Sequence, residues 1–452
     1  VSGSSGLGRI RRLRAALADS PPLWWSLLYF FSLLCGYYVV RPVRDAMGAS
    51  GDPSTVFPQW LLDLADGAGF ALGEYTLQLL FTGTFVTMVV LQPVYGALVA
   101  RFPRRVFLPV VYLFFIACLV FFFGLFHTGV AGRGGAFFIW TAVFNLFAVT
   151  VFWSFMADVF DNQQAKLVYG YIGAGGTIGA LVGPGITRLL VEVIGVANLL
   201  LVSAGFLAIC LLCILKLRPW ARRREEQHGE TGGEQAMGGS MLAGLKLVWQ
   251  RPLLRALAIT MFFGVGVGTL LYNEQAAIVK QFYPGAEAGT WYYATVDWAV
   301  NGVTLLVQVF VTRSLLQRFG VAPALLGPAI AILLGYCLLA ASPLPLMVAI
   351  VQVVTRSGEF SLAKPARETL YTRVDRESRY KAKAVIDTVV YRGGDLTFVW
   401  LHKAIAVLGS SMVFAAGIFV ALGMSLGAWG IVRAQRDLPD EGQPDPRPRE
   451  GL

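Results

Sequence analysis

Apolar runs long enough to cross a bilayer recur along this chain, and no other feature limits its fold as much. A helix of about 20 apolar residues spans the hydrocarbon core. Twelve such runs can be drawn, at roughly 23–44, 75–99, 106–128, 136–157, 168–192, 197–217, 253–277, 290–312, 322–341, 344–366, 386–408 and 411–433. Inside lipid every backbone N–H and C=O must find a partner within the protein, so continuous runs of this length fold as helices. The expected fold is an all-α polytopic membrane protein with twelve transmembrane helices. Composition agrees: the 452 residues are 56% hydrophobic and 14% charged, against about 25% charged in soluble domains.

The basic residues predict orientation, because Lys and Arg collect in cytoplasmic loops. Arg9, Arg11, Arg12 and Arg14 precede the first span, and Arg101, Arg104 and Arg105 follow the second. Lys216, Arg218 and Arg222 to Arg224 follow the sixth, Arg313 and Arg318 the eighth. Lys364, Arg367, Arg373, Arg376, Arg379, Lys381 and Lys383 surround the loop after the tenth. The alternate loops hold chiefly Arg133 and Lys280. Both termini are therefore expected in the cytoplasm, with the protein in the cell inner membrane. The expected organisation is a tail at 1–22, a six-helix bundle at 23–217, a charged then Gly-rich linker at 218–250, a second six-helix bundle at 251–433, and a polar tail at 434–452. Within the longer loop at 46–74, the stretch from Val56 to Ala65 is expected on the membrane surface.

Several function classes are excluded by what the sequence lacks. The net charge of +10 follows the loops and forms no nucleic-acid patch. No G-x-x-x-x-G-K-S/T phosphate loop occurs, and His127, His228 and His402 fall in separate regions. The five cysteines lie inside apolar segments; Cys210-x-x-Cys213 has only Leu and Ile as close neighbours, which favours packing over redox chemistry. No nucleophile–base pair is recognisable. A non-enzyme without metal or cofactor is expected, working as a monomer in lipid.

Polar residues inside the spans are costly and mark candidate sites. Span one ends with Tyr37, Arg41 and Arg44 on one helical face, followed by Asp45. Two readings stay open for them: interfacial anchors, or guanidinium groups facing an anion in a cavity. Span eight carries Asp297, Asn301, Thr304 and Gln308 as one polar stripe. Span ten carries Gln352, Arg356 and Glu359, and span eleven Asp387, Tyr391 and Asp395 with Arg392 beside them. Each group alone could be an interhelical ion pair. Three stripes together favour a hydrated pathway. Arg188 and Glu192 read as an interfacial pair. Span five is rich in glycine, including Gly175, Gly179 and Gly183-Pro184, a spacing that suits close helix approach.

The halves look like distant repeats: Gly96-Ala-Leu-Val-Ala-Arg-Phe follows span two, and Arg313-Ser-Leu-Leu-Gln-Arg-Phe follows span eight. Six plus six spans with a central loop resemble the transporters of the major facilitator type. Gly96, Leu98, Arg101, Arg104, Arg105 and Leu108 also match that superfamily's loop after span two, with Ala100 where its Asp stands. A second resemblance is more specific. Phe360-Ser-Leu-Ala-Lys-Pro-Ala-Arg-Glu-Thr-Leu-Tyr371 and Lys381-Ala-Lys-Ala-Val-Ile-Asp387 resemble the ATP/ADP translocase (nucleotide transporter) family. Arg41 to Asp45 is similar to its R-x-x-K-D with Arg44 in place of Lys, and Phe152 to Asp158 to its F-W-x-F-A-N-E. Tyr272-Asn-Glu274 through Lys280 is weakly like its span-seven V-E-x-x-W-K, while Tyr391-Arg392-Gly-Gly replaces its K-S-G-G.

The resemblance implies nucleotide exchange across a membrane, with Arg44, Asp158, Glu274 and the Arg392 region at essential charged positions. The expected function is alternating-access exchange of a small anionic solute, nucleotides by family. The candidate substrate site comprises Arg41, Arg44, Asp158, Glu274, Lys280, Asp297, Asn301, Arg356, Glu359, Asp387, Tyr391, Arg392 and Asp395. The alternative is a proton-coupled porter of another organic anion or siderophore-like compound, with Glu359 or Asp297 carrying the proton.

Overall fold

The computed structural model describes residues 21–101, 104–160, 162–228, 241–371, 382–383 and 385–437. Expectations about both tails, the linker at 229–240, the loop at 372–381 and the side chains of Arg101, Arg104 and Arg105 lie outside the described residues. The described residues are helical almost throughout. The long helices follow the apolar runs: α1 is Pro21–Gly48, α2 Thr76–Arg101, α3 Arg104–Thr128 and α4 Arg133–Val159. One continuous stretch, Asn162–His228, breaks at Gly195, whose φ of 77° and ψ of 167° are closed to other residues. It thus provides two helices, α5 (162–194) and α6 (196–228).

Beyond the linker come α7, Pro252–Phe282, and α8, Ala286–Val307, which runs on through a π-turn at Gln308–Thr312 into Arg313–Phe319. Then follow α9, Val321–Ala341, and α10, Pro345–Gly358, continued by a π-turn at Glu359–Ala363 and by Lys364–Tyr371. The π-turn at Ile386–Val390 leads into α11, Tyr391–Ala406, and α12 is Ser410–Ala434. Among the described residues, ten helices are long and apolar enough to cross a membrane, with the stretch 168–223 counted as one. The α-helical part of α11, at 16 residues, falls short of that length.

The chain folds as two compact units, residues 1–234 with 276–301, and residues 235–275 with 302–452. In the first, α5 lies against α1 with almost no side chain between them. A Cβ on Gly175 would come within 2.9 Å of the Leu27 carbonyl oxygen, and one on Gly183 within 2.7 Å of the Cys35 carbonyl oxygen; Gly179 sits closer still to the Phe31 carbonyl oxygen. The glycine spacing in span five is therefore a packing surface, as small residues four apart allow. Hydroxyls pin the same helix further: Thr187 donates to the Val39 carbonyl at 2.8 Å, and Ser203 of α6 to that of Gly36 at 2.8 Å. Around this axis an aromatic core closes, with Tyr29, Phe30 and Phe152 in edge and stacked contacts and Trp140 stacked on Phe144.

The loop after α1 is built onto α4. Asp52 caps the short helix Pro53–Val56 by accepting the Ser54 N–H at 3.0 Å. Gly132, at φ 86°, gives its N–H to the Ser54 carbonyl at 2.8 Å. Next comes the surface helix Gln59–Gly67, which leaves Trp60 67% and Leu64 65% exposed. An apolar face of this kind fits the expected place at a membrane surface.

In the second unit α7 packs on α11 and α12: Gly266 meets Phe398 and Gly427 meets Thr260. Two π-turns face each other there. Gln308 of the α8 π-turn donates to the Phe360 carbonyl at 3.2 Å, and Thr312 to that of Ser361 at 2.8 Å.

Candidate functional site

In the first unit the charged end of α1 meets α8. Arg41 Nη1 lies 3.5 Å from Asp297 Oδ1, and its Nε lies 3.9 Å from Asp45 Oδ2 one turn on. Arg44 Nε donates to Asp45 Oδ1 at 2.8 Å. The two guanidinium groups also stack on rings, Arg41 over Tyr38 at 5.5 Å and Arg44 over Phe138 at 4.9 Å. Asp45 and Asp297 are each only 2% exposed. A carboxylate buried so completely needs cationic partners, and here the two carboxylates share two arginines. Asn301, one turn from Asp297, donates to the Ala180 carbonyl at 2.8 Å. It thus fixes α8 on α5, and the pair across to α1 depends on that register. Arg188 turns to two indoles, Trp291 at 5.6 Å and Trp298 at 5.8 Å.

Two predicted members of the first unit stand apart from this cluster. Asp158 is half-buried at the far end of α4. It is twenty residues beyond the Phe138 that Arg44 covers, about 30 Å along the helix. Lys280 is exposed, its stem 3.7 Å from where a Cβ on Gly51 would stand.

In the second unit the candidates form three local arrangements. At the start of α11, Arg392 Nη1 lies 3.6 Å from Asp395 Oδ2, and its guanidinium covers the Tyr391 ring at 5.5 Å. Asp395 also accepts the Thr269 hydroxyl of α7 at 3.0 Å. Asp387, one helical turn earlier in the π-turn, is exposed. On α10, Glu359 is forked by Arg367, with Arg367 Nη1 3.0 Å from Oε2 and Nη2 bonded to Oε1. Arg356 is half-buried one turn before Glu359, beside the buried Gln352 and Thr355.

The third arrangement joins α7 to α11. Glu274 Oε1 lies 2.8 Å from His402 Nε2, with both side chains buried. Sequence reasoning passed over two of these residues. Arg367 reads as one more loop cation, yet it is buried and takes Glu359. His402 reads as isolated, because its partner lies 128 residues away. Only its position seven residues after Asp395, on the same face of α11, could have marked it. Among the described residues no three His, Cys, Asp or Glu side chains come together as a metal site.

Long apolar helices with ion pairs buried between them are the frame of a polytopic membrane protein. The sequence profile of the Major Facilitator Superfamily matches residues 27–394, and the chain belongs to that superfamily of secondary transporters. It is 22% identical to the ADP,ATP carrier protein 1 of Chlamydia pneumoniae over 58% of either chain. A similar match joins it to the protein of that name from Chlamydia muridarum, 22% identical over 62% of this chain and 60% of the relative. The chain thus spans about three-fifths of the length of these relatives. The resemblance to ATP/ADP translocases is carried by both. Its fold is similar to that of the nucleoside transporter NupG, with a TM-score of 0.59 at 12% identity, covering 91% of this chain and 99% of the other. It is also similar to that of a D-xylose-proton symporter, with a TM-score of 0.60 at 13% identity, covering 92% and 98%.

Proposed function

We propose that this protein exchanges small anionic solutes across the inner membrane by alternating access, with nucleotides of the ATP and ADP kind as the solute and both termini in the cytoplasm. The observation that carries the reading is the buried cluster of Arg41, Arg44, Asp45 and Asp297. Two guanidinium groups held by two carboxylates form a latent anion site: a phosphate can take over the donors that a carboxylate releases. Arg41 and Arg44 bind the anion in this scheme, and Asp297 is the exchangeable partner. Asn301 keeps Asp297 in position.

Asp395 holds Arg392 in the same way in the second unit, with Tyr391 as a flat surface for a base. Arg356 adds a further cation, and Glu359 is engaged by Arg367. Asp158, Lys280 and Asp387 act from the ends of their helices, where charges make and break contacts as the carrier moves. The ADP,ATP carrier relatives support the nucleotide part of the proposal, which the fold alone leaves open.

The test is uptake of labelled ATP into proteoliposomes containing the purified protein, with and without ADP inside. Uptake that requires internal ADP is the expected result. A protein that moves no nucleotide in either condition refutes the nucleotide reading. Arg44→Ala is expected to abolish uptake while the protein still inserts; unchanged uptake would make Arg44 an interfacial anchor.

A further inference from the structure

The carboxylates paired on the helices of this protein differ in what faces them. Asp297 faces Arg41, Asp45 faces Arg44, Asp395 faces Arg392, and Glu359 faces Arg367. An arginine does not give up its proton in a protein, so each of these carboxylates has a permanent counter-charge. Glu274 differs: its partner is the imidazole of His402, at 2.8 Å. Imidazole is the side chain whose charge changes at ordinary pH.

The second imidazole nitrogen supplies an independent observation. His402 is 8% exposed, and its Nδ1 is buried without a hydrogen-bond partner. With Glu274 ionised, Nε2–H donates to the carboxylate, and Nδ1 carries a lone pair aimed into the protein. A buried polar atom left in this way is expensive unless something binds it. A proton fits, since it turns a buried single negative charge into a neutral ion pair. The new Nδ1–H then has no acceptor of its own. An oxygen of an anionic solute supplies one.

From α9, Tyr336 approaches Glu274, but its hydroxyl is committed to the Val267 carbonyl at 2.6 Å. On α7, Asn273 gives its amide to the Thr269 carbonyl at 2.8 Å, and Gln275 is uncharged. On α11, Asp395 and Arg392 pair with each other two turns away, and Lys403 projects about 100° around the helix. In α12 the first ionisable side chain is Arg433, near its end.

We propose that Glu274 and His402 form a proton site that couples solute movement to a proton gradient. His402 takes a proton from water on Nδ1 and presents it to the anion, and it returns the proton to water when the anion leaves on the other side. No other bond is made or broken. This goes beyond anion exchange and places the proton on neither Glu359 nor Asp297, which arginines hold. It rests on the anion-carrier reading only for its transport readout.

The first measurement needs no solute. Replacing His127 and His228 by Gln leaves His402 as the single imidazole of the three. Infrared titration of this protein with ring-labelled histidine, between pH 5 and pH 9, is expected to show the imidazole changing protonation. Glu274→Gln should displace or remove that change, with Glu274→Asp as the substitute if the amide variant does not fold. An imidazole in one protonation state across the range overturns the proposal, as does a titration indifferent to Glu274.

The second measurement is labelled ATP uptake with the outside one pH unit more acid. One proton per anion supports up to about tenfold accumulation, because one pH unit is a factor of ten in proton activity, about 1.4 kcal/mol. In His402→Gln the ratio of uptake with and without the gradient falls to one. Nucleotide uptake that ignores the gradient in the unaltered protein, or a gradient response that survives in His402→Gln, refutes the coupling. A titrating pair in a protein that moves no nucleotide supports the proton site and removes the nucleotide reading instead.

Discussion

Neutralising Arg41 and Asp297 singly and together tests whether their contact is an ion pair or a coincidence of packing. At 3.5 Å and an effective dielectric constant of about 20, two unit charges attract by about 5 kcal/mol. Desolvation of both groups offsets most of this, so the net coupling should be about 1–3 kcal/mol. The two single variants should differ. Asp297→Asn leaves Arg41 with Asp45 one turn away at 3.9 Å, so its charge remains partly compensated. Arg41→Gln leaves Asp297, 2% exposed, without that guanidinium. The arginine variant should therefore lose more stability, by up to about 3–5 kcal/mol for a buried ion pair broken from one side. The double variant removes both charges and should be more stable than the sum of the singles. Thermal unfolding of the four purified proteins in one detergent reads the cycle. Losses that add within about 0.5 kcal/mol, or an Asp297 variant worse than the Arg41 variant, refute the reasoning.

Four further outcomes follow from other positions. Gly183→Ala would place a methyl 2.7 Å from the Cys35 carbonyl oxygen and should cost about 1–3 kcal/mol in thermal stability. Gly170→Ala, where nothing lies within 4 Å, should be neutral or stabilising by up to about 1 kcal/mol. Arg367→Ala should destabilise by about 1.5–3 kcal/mol through the lost fork onto Glu359; a loop cation would show no change in unfolding temperature. The Asp52 carboxyl is held below the usual carboxylate range, chiefly by the Ser54 hydroxyl and then its N–H. A lowered folded value means that the cap's contribution is complete above the unfolded value, about 3.9, and is lost as pH falls through the folded one. Hydrogen exchange of residues 53–57 should accelerate across that acid window, and Asp52→Ala should accelerate it above the window and match the unaltered protein below it.

The spans were legible because lipid allows the backbone few solutions: a run of apolar residues in a bilayer is a helix wherever it falls. The glycines of span five were legible for the same reason, since their four-residue spacing has one common use. Partners were harder to read. Helical spacing puts Arg41 and Arg44 on one face but does not say that Asp297, 256 residues from Arg41, comes to meet them. The stripe of Gln352, Arg356 and Glu359 assumed regular α-helix, while the π-turn from Glu359 onward redirects the residues beyond it. That turn brings Arg367 back onto Glu359, a separation of eight residues that no simple helical pairing predicts. His402 was missed because a lone histidine in an apolar run has no pattern. Its meaning depends entirely on Glu274 lying opposite.

The seam between α1 and α5 limits how this carrier can move. Leu27, Phe31, Cys35 and Val39 meet Gly175, Gly179, Gly183 and Thr187, so the two helices are keyed at steps of one turn. Neither can slide smoothly past the other. The next matching position is a whole turn away, about 5.4 Å, and reaching it means breaking every contact at once. The pair therefore behaves as a single rod. Arg41 rides on one helix and the Arg188 between its two indoles rides on the other, so their spacing stays fixed while the carrier works. In mechanical terms the rod is a ruler: the distance between the backbones that carry Arg41 and Arg188 is set by helix packing.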